Sequence, residues 1–116
     1  MLSETLPEKA ASGQGWSVER SGGFLTARFT GYLSADQAQT SVEQFVDLLG
    51  QDRCVIVFDI RMMTGYDSDA RRSWATALRP LRARIERIEL LGGNALVRMG
   101  GTVLGAMIGV PVSTRR

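Results

Sequence analysis

The sequence lacks histidine altogether and contains a single cysteine, Cys54. Without histidine, imidazole-based acid–base catalysis, a Ser-His-Asp triad and almost every zinc site are excluded. A single cysteine cannot form an internal disulfide, and because Cys54 lies within an apolar run, we expect a buried thiol in a reducing compartment. Paired carboxylates are also missing, so few acid–base schemes remain. We therefore expect a protein that is not an enzyme and holds no metal or cofactor.

Long hydrophobic runs are absent as well. No apolar segment approaches the roughly 20 residues that a membrane-spanning helix needs. Residues 1–9 have neither the basic start nor the apolar stretch of a signal peptide. We therefore expect a cytoplasmic protein without an integral membrane segment.

Lysine is nearly absent, Lys9 being the only one, so arginine supplies the net charge of +2. This charge is too small to indicate nucleic acid by itself. Arginine-rich surfaces can bind phosphate or carboxylate with two hydrogen bonds. A GC-rich genome produces the same composition without any such binding.

The 116 residues suffice for one domain with a hydrophobic core. The most apolar stretch is Cys54–Ile60, in which Asp59 is the only charge. This run is rich in β-branched residues and is bounded by polar residues and a turn at Gly65. It predicts a strand in the middle of a parallel sheet, covered on both faces. Because function in such sheets usually lies at the carboxyl ends of strands, residues 61–69 form the candidate recognition loop.

Hydrophobic periodicity, turn residues and caps predict the other elements. Ser34 and Gln37 form a capping box at the start of the first helix. Asn94 caps the last helix, and Gly109 ends it. The predicted elements are strands at 15–20 and 24–30, a helix at 35–49, the central strand at 54–60, a helix at 68–87 with a kink at Pro80, a strand at 88–91, a helix at 95–108 and an edge strand at 110–112.

This order of elements predicts the α/β class. We expect a single domain at residues 15–113, with a flexible tail at 1–14 and a short tail at 114–116. The domain should contain a four- or five-stranded, mostly parallel mixed sheet with an N-terminal hairpin and about three helices packed on it.

A hydroxyl lies between two carboxylates where the second helix begins, in Tyr66-Asp67-Ser68-Asp69. Asp67 or Ser68 can cap the helix, and Asp69 in the first turn suits the helix dipole. The free amides of the first turn can also accept a phosphate, which makes Ser68 a candidate phosphosite. The two carboxylates are neighbouring cap residues and do not face each other across a cleft, so a glycosidase or metal pair is not favoured.

Three motifs resemble those of STAS domains (sulfate transporter and anti-sigma-factor antagonist). They are Gly31–Leu33 with Ser34–Asp36 before the first helix, the aliphatic strand Val55–Ile60 ending in Asp-Ile, and Asp67–Ala70, which is similar to the family's Asp-Ser-Ser-Gly loop. The resemblance covers residues 16–113. It implies a STAS-like fold and a regulatory protein as partner.

One position departs from the family pattern. In antagonists that are switched by phosphorylation, the modified serine is the second of the pair, and here that position holds Asp69. Asp69 carries a permanent negative charge, so the resemblance favours constitutive binding, or another form of regulation, over a kinase-driven switch. A subset of STAS-like domains that resembles CRAL-TRIO-type lipid-transfer proteins also lacks the double serine, and it implies binding of an apolar ligand.

Glycines recur at every fourth position of the last helix, at Gly101, Gly105 and Gly109, and the helix is otherwise almost wholly apolar. Small residues at this spacing let another backbone approach closely. The helix either contacts both the sheet and a neighbouring helix, or its outer side meets a second chain in a homodimer. A membrane surface or a bound acyl chain is a third interpretation. The candidate dimer or ligand face consists of Gly101, Leu104, Gly105, Met107 and Ile108.

Six arginines surround the apolar stripe of the predicted second helix: Arg71, Arg72, Arg79, Arg82, Arg84 and Arg87. A solvated face paired with Glu86 and Glu89 is one interpretation, and a docking patch for an acidic partner is another. Nucleic acid is not favoured, because no aromatic side chains alternate with the arginines on the polar face. No glycine-rich phosphate loop is present, so nucleotide binding is not indicated.

The functional hypothesis is a non-enzymatic STAS-like protein-interaction module in a bacterial regulatory or signalling system. It docks through the loop 62–69 and the following helix. The candidate partner-binding residues are Tyr66, Asp67, Ser68, Asp69, Arg71 and Arg72. The alternative is an apolar small molecule or lipid between the last helices and the sheet, in a pocket lined by Met62, Met63, Trp74, Leu104, Met107 and Ile108.

Overall fold

A computed structural model describes residues 9–115 of the chain. The elements in this range are β1 (Lys9–Gly13), β2 (Trp16–Ser21), β3 (Phe24–Leu33), α1 (Ala35–Leu49), β4 (Cys54–Tyr66), α2 (Ser68–Leu78), a 3₁₀ helix (Arg79–Arg84), β5 (Ile85–Leu91), α3 (Ala95–Ile108) and β6 (Val112–Arg115). The predicted α/β class with three helices is confirmed.

The strands form one mixed sheet in the order β1-β2-β3-β4-β5-β6. The first three strands are antiparallel, and β3 to β6 are parallel. Each crossover from β3 onward leads to the next strand in the same direction. Because such crossovers are right-handed, all three helices lie on one face, where α1 packs on α2 and α2 on α3.

An aromatic cluster joins the helices to the sheet. The Trp74 ring of α2 meets the rings of Phe45 on α1 and Phe58 on β4 edge-on, with centroids 4.8 and 5.4 Å away. Phe29 of β3 lies 5.7 Å from Trp74 in the same arrangement. Such edge-to-face contacts add to the gain from burying these large side chains. The cluster therefore fixes the position of α2 over the centre of the sheet.

The opposite face of the sheet carries no helix within residues 9–115, yet Cys54–Ile60 is buried along its whole length, so the prediction of a strand covered on both faces is confirmed, although the second cover is not a helix. Long charged side chains cover it instead, and Val55 and Val57 beneath them are only 6% and 5% exposed. The crossovers from β3 to β6 all lead in one direction across the sheet, so their helices lie on the other face. The sequence of one strand cannot reveal this arrangement.

The sheet has six strands, more than the four or five expected. Lys9–Gly13 pairs with β2 and is not part of a tail, whereas residues 1–8 of the predicted tail lie outside the described range. At the other end, Thr114 and Arg115 belong to β6, which pairs with β5, and Arg116 lies outside the described range. Both edge strands are short and mostly polar, so their hydrophobic signal is weak, and the edge strand predicted at 110–112 begins only at Val112.

The predicted helix at 68–87 was wrong beyond Leu78. Pro80 lacks an N–H group and its ring opposes a continued α-helix, so the chain tightens into the 3₁₀ helix. Ile85 and Ile88, three residues apart, then lie buried on β5. A register shift between Cys54 and Val55 inserts one extra residue between the two isoleucines and turns both towards the core. Because of this bulge, Ile85 and Ile88 have the sequence spacing of an apolar stripe on a helix although they lie on a strand.

Candidate functional site

The expected recognition loop is mostly strand. β4 continues to Tyr66, because β3 extends beside it as far as Leu33, and two register shifts keep the long pair in contact. Gly65, which was expected to form a turn, lies in β4, where a Cβ atom would be 3.2 Å from the ring of Tyr32. Only Asp67 separates β4 from α2. The loop 62–69 is therefore reduced to one connecting residue and the first turn of α2.

Asp67 occupies the N-cap position of α2, yet its side chain caps the other helix. One carboxylate oxygen accepts a hydrogen bond from the backbone N–H of Ala35, the first residue of α1, at 3.0 Å. The other oxygen accepts the hydroxyl proton of Tyr32 at 2.6 Å, and this hydrogen bond raises the pKa of the Tyr32 phenol. No side-chain bond from Asp67 caps α2, so that part of the prediction was wrong.

The predicted capping box of α1 is confirmed. Ser34 Oγ accepts the N–H of Gln37 at 3.2 Å, and the Gln37 side chain accepts the N–H of Ser34 at 3.0 Å. With the bond from Asp67, three polar groups hold the start of α1. The N-termini of α1 and α2 consequently lie side by side at the carboxyl ends of β3 and β4.

Ser68, Asp69 and Arg72 form the outer surface of the first turn of α2, and all three are exposed. Arg72 donates a hydrogen bond to Asp69 at 2.9 Å, three residues along the helix. Because both side chains of this pair are well solvated, it contributes little to stability. These groups are therefore free to exchange their contacts with each other for contacts with a partner.

Tyr66 and Arg71, both half-buried, connect α2 to α3. Arg71 donates a hydrogen bond to the Tyr66 hydroxyl at 3.3 Å, and its guanidinium carbon lies 6.0 Å from the centre of the Tyr66 ring. The phenol packs against Gly100 of α3 so closely that a Cβ atom there would collide with the hydroxyl oxygen. Tyr66 thus fills the space between the two helices at the carboxyl end of β4.

A small apolar cavity lies beneath Tyr66, between α2, α3 and the sheet. Its volume is about 60 Å³, and its lining includes Phe58, Met63, Trp74, Leu90 and Leu104. Pockets for small organic ligands are typically about 300–1,000 Å³, so this cavity, as it is shaped in the structure, is too small to enclose a lipid.

The ligand pocket expected from the sequence is therefore not supported in that form. Met63, Trp74 and Leu104 line the cavity as expected. Met62 points to solvent and is 66% exposed. Met107 and Ile108 lie further along α3 and do not line it. The indole N–H of Trp74 is buried and has no hydrogen-bond partner among residues 9–115.

The glycine-spaced face of α3 is turned into its own chain. A Cβ atom at Gly101 would lie 2.7 Å from the Leu90 side chain, and one at Gly105 would collide with Val112. Leu104 and Ile108 are buried in the core, and Met107 is half-buried. The glycines therefore serve the close packing of α3 on β5 and β6, which is the first of the interpretations that the sequence left open. The outward face of α3 consists of other residues.

The arginines expected on one helix are distributed over three elements. Arg71 and Arg72 lie on α2, and Arg79, Arg82 and Arg84 lie on the 3₁₀ helix. Arg87 lies on β5, where it pairs with Glu86 and Glu89 at 2.9 and 2.8 Å. The expected pairing with the two glutamates thus holds for Arg87, but it occurs on the open face of the sheet.

Asp59 is the charged group that sequence reasoning noticed but left without a role. It is 3% exposed on the open face of the sheet, between Arg61 and Arg28, which donate hydrogen bonds to it at 2.8–2.9 Å. The hydrogen bonds from Arg61, with the one from Arg28, hold the pKa of the Asp59 carboxyl well below its usual range despite burial. A lone acidic residue in an apolar strand indicates a buried ion pair, but the sequence does not name its partner Arg28, because that contact depends on the register of β3 against β4.

Neither a metal site nor a membrane-spanning helix is found in residues 9–115. No group of three or more cysteine, histidine, aspartate or glutamate side chains is placed to hold a metal ion. No helix in this range has the length and apolar character to cross a membrane.

Comparison with solved structures identifies the architecture. A protein of the DUF3478 family from Shewanella loihica PV-4, described as having a SpoIIAA-like fold, superposes with a TM-score of 0.65 over 91% of this chain and 90% of its own, at 15% identity. The chain has a SpoIIAA-like fold. The anti-sigma factor antagonist SpoIIAA, in its unphosphorylated form, matches with a TM-score of 0.58 over 87% of this chain and 88% of its own, also at 15% identity.

No protein-family model and no curated protein sequence matches the chain. The SpoIIAA-like fold confirms the expected resemblance to STAS domains at the level of architecture. Because proteins of one fold perform different functions, the role of the individual site residues has to be argued from their geometry.

Proposed function

We propose that this chain is a non-enzymatic STAS-like module that binds a regulatory protein in a bacterial signalling system. The docking surface comprises Tyr66, Asp67 and the first turn of α2 with Ser68, Asp69, Arg71 and Arg72. One observation carries the proposal: exposed, weakly paired polar groups lie on a rigid edge at the carboxyl ends of the two central parallel strands. Binding sites of open parallel sheets concentrate there.

Rigidity supports the choice of this edge. Asp67 ties the start of α1 to the end of β4 through Ala35, and Tyr66 wedges α2 against α3 at Gly100. A surface that is already ordered loses little conformational entropy on binding. Asp67 therefore positions the surface, whereas Ser68, Asp69 and Arg72 make the contacts.

The charge at this edge argues for binding that needs no phosphorylation. Asp69 already provides a carboxylate in the first turn of α2, where the helix dipole favours an anion. A phosphate on Ser68 would lie between Asp67 and Asp69, and like charges oppose it. We therefore propose that the unmodified chain is the binding form, and Ser68 remains a candidate phosphosite whose modification weakens binding.

Affinity capture with matched variants tests the proposal. Tagged wild-type chain is incubated with lysate of the source organism in parallel with Ser68→Glu, Arg72→Glu and the control Arg53→Glu, and the bound proteins are identified by mass spectrometry. We expect one protein that binds the wild type and the control but is lost from both α2 variants, while Ser68→Ala retains it. Equal capture by all forms, or capture of no protein by the wild type, contradicts the proposal.

A further inference from the structure

A groove runs between α2 and α3 above the apolar cavity, and its two walls differ in chemistry. One wall is formed by Arg71 on α2 and by Arg79, which lies eight residues later at the start of the 3₁₀ helix and so on the same side of the chain. Arg71 reaches Tyr66 at the end of β4. Arg79 donates a hydrogen bond to the carbonyl oxygen of Met107 on α3, at 3.2 Å. These contacts turn the cationic side of α2 towards α3.

The wall on α3 is apolar. Leu96, which is 61% exposed, is one of the five large hydrophobic side chains that are exposed in residues 9–115. Val103 and Met107 are half-buried further along the helix. Leu96, Gly100, Val103 and Met107 share one face at helical spacing, and Gly100 contacts Tyr66. This face therefore borders the groove.

The floor of the groove contains the cavity of about 60 Å³, which is partly open to solvent. Tyr66 and Arg71 lie at its edge, and the deeper lining is apolar. This volume accommodates part of one aliphatic side chain. Trp74 lines the cavity, and its indole N–H has no hydrogen-bond partner in residues 9–115. The NMR signal of this N–H therefore reports on any side chain that enters the cavity.

The charge around the groove has one sign. α3 carries one ionisable residue, Arg98, in its whole length. α2 and the 3₁₀ helix together carry five arginines and one acid, Asp69, which is paired with Arg72. A second copy of the chain would bring the same cations against this groove, and like charges across an interface are unfavourable. A partner with carboxylates is complementary to it.

We propose that this groove binds a short amphipathic segment of the partner protein, with one aliphatic side chain in the cavity and flanking aspartate or glutamate residues on Arg71 and Arg79. The inference rests on the proposed function and names the chemistry of its partner. Apolar residues of the segment cover Leu96 and Val103, in the manner of a helix bound in a hydrophobic groove. Charge sets its orientation, because cations line only the α2 wall.

Synthetic peptides of about 14 residues test the inference on the full chain. The probe is an amphipathic helix with three leucines on one face and glutamates on the flanks. One control peptide has lysine in place of every glutamate, and another has alanine in place of the central leucine. Binding is followed by two-dimensional ¹H–¹⁵N NMR at the Trp74 indole and at the amides of α2 and α3.

We expect saturable shifts at Trp74 and along both helices with the acidic probe, and at least about tenfold weaker binding of either control peptide. Arg71→Glu should weaken binding of the acidic probe by a similar factor, and Arg53→Glu should leave its affinity unchanged. Leu96→Glu alters an exposed side chain of the groove wall, so the protein should remain folded and no longer bind the probe.

The inference is overturned by absent saturation, by equal binding of the lysine peptide, or by binding that the groove variants do not change. It is also overturned if the chain is a dimer that Leu96→Glu dissociates, since the groove is then covered by a second copy. Partner capture that depends on Arg72 but is unaffected by Leu96→Glu leaves the proposed function standing and removes only the groove from it.

Discussion

The carboxylate of Asp67, at the entrance of α2, accepts a hydrogen bond from the backbone N–H of Ala35, at the entrance of α1. A residue at the usual capping position of one helix thus caps its neighbour, 32 residues earlier in the chain. This bond joins the ends of β3 and β4 and places the exposed first turn of α2 at a fixed position. The proposed docking surface depends on it.

Replacing Asp67 should therefore destabilise the fold. Asp67→Ala removes a cap of α1 and the partner of the Tyr32 hydroxyl, and we expect a loss of about 1–2 kcal/mol in the free energy of unfolding in urea. Asp69→Ala removes an equally negative but exposed side chain and should change stability by less than about 0.5 kcal/mol. Similar effects of the two substitutions would refute the structural role of Asp67.

Asp59 should make stability depend on pH in the acidic range. Its folded pKa lies below the unfolded value of about 3.9, so the unfolded chain binds the proton more readily. The stabilisation is complete above that value and is lost as the pH falls below it. Asp59→Asn should cost about 2 kcal/mol near neutral pH, and the difference from wild type should shrink in acid.

Urea unfolding at several pH values, with Asp69→Asn as the control, measures this effect. Asp69 is exposed, so its substitution should give a small difference that does not change strongly with pH. A constant difference between Asp59→Asn and wild type across the acidic range would show that the arginines do not hold Asp59 as described.

Gly105→Ala should destabilise the protein although alanine is the better helix former. In an exposed helix this change gains about 1 kcal/mol. Here the added methyl group would collide with Val112 and lie 3.0 Å from the carbonyl oxygen of Val110, which as backbone cannot easily move. We expect a net loss of about 1–3 kcal/mol in urea unfolding. A gain would mean that α3 does not pack on β6 as described.

Cys54 should be unreactive in the folded protein. It is 2% exposed, and burial raises the pKa of its thiol, against a smaller opposing effect of Arg20. A thiol reagent at mildly alkaline pH should label it only in step with unfolding, and fully in concentrated urea. Rapid labelling of the native protein would place Cys54 outside the core.

Local signals predicted the elements that are determined by neighbouring residues. The capping box at Ser34, the cap at Asn94 and the stop at Gly109 act within one turn of a helix and were all identified from the sequence. The central position of β4 followed from its apolar run. Interactions between residues that are close in the sequence can therefore be predicted without a structure.

Features that depend on distant residues were missed. The length of β4 is set by pairing with β3, and the bulge on β5 gave a strand the periodicity of a helix. The side chain of Asp67 bonds to α1 rather than α2. In the candidate site, the sequence located the surface residues Ser68, Asp69 and Arg72. It could not show that Tyr66 is wedged against Gly100, because that contact joins separate elements.

Hydrogen–deuterium exchange of the chain, free and in complex with its captured partner, tests the proposed docking surface. We expect exchange to slow in the Tyr66–Arg72 segment and the rest of α2, with smaller changes in the outward half of α3. Slower exchange confined to α1 or to the charged open face of the sheet, with residues 66–72 unchanged, would contradict it.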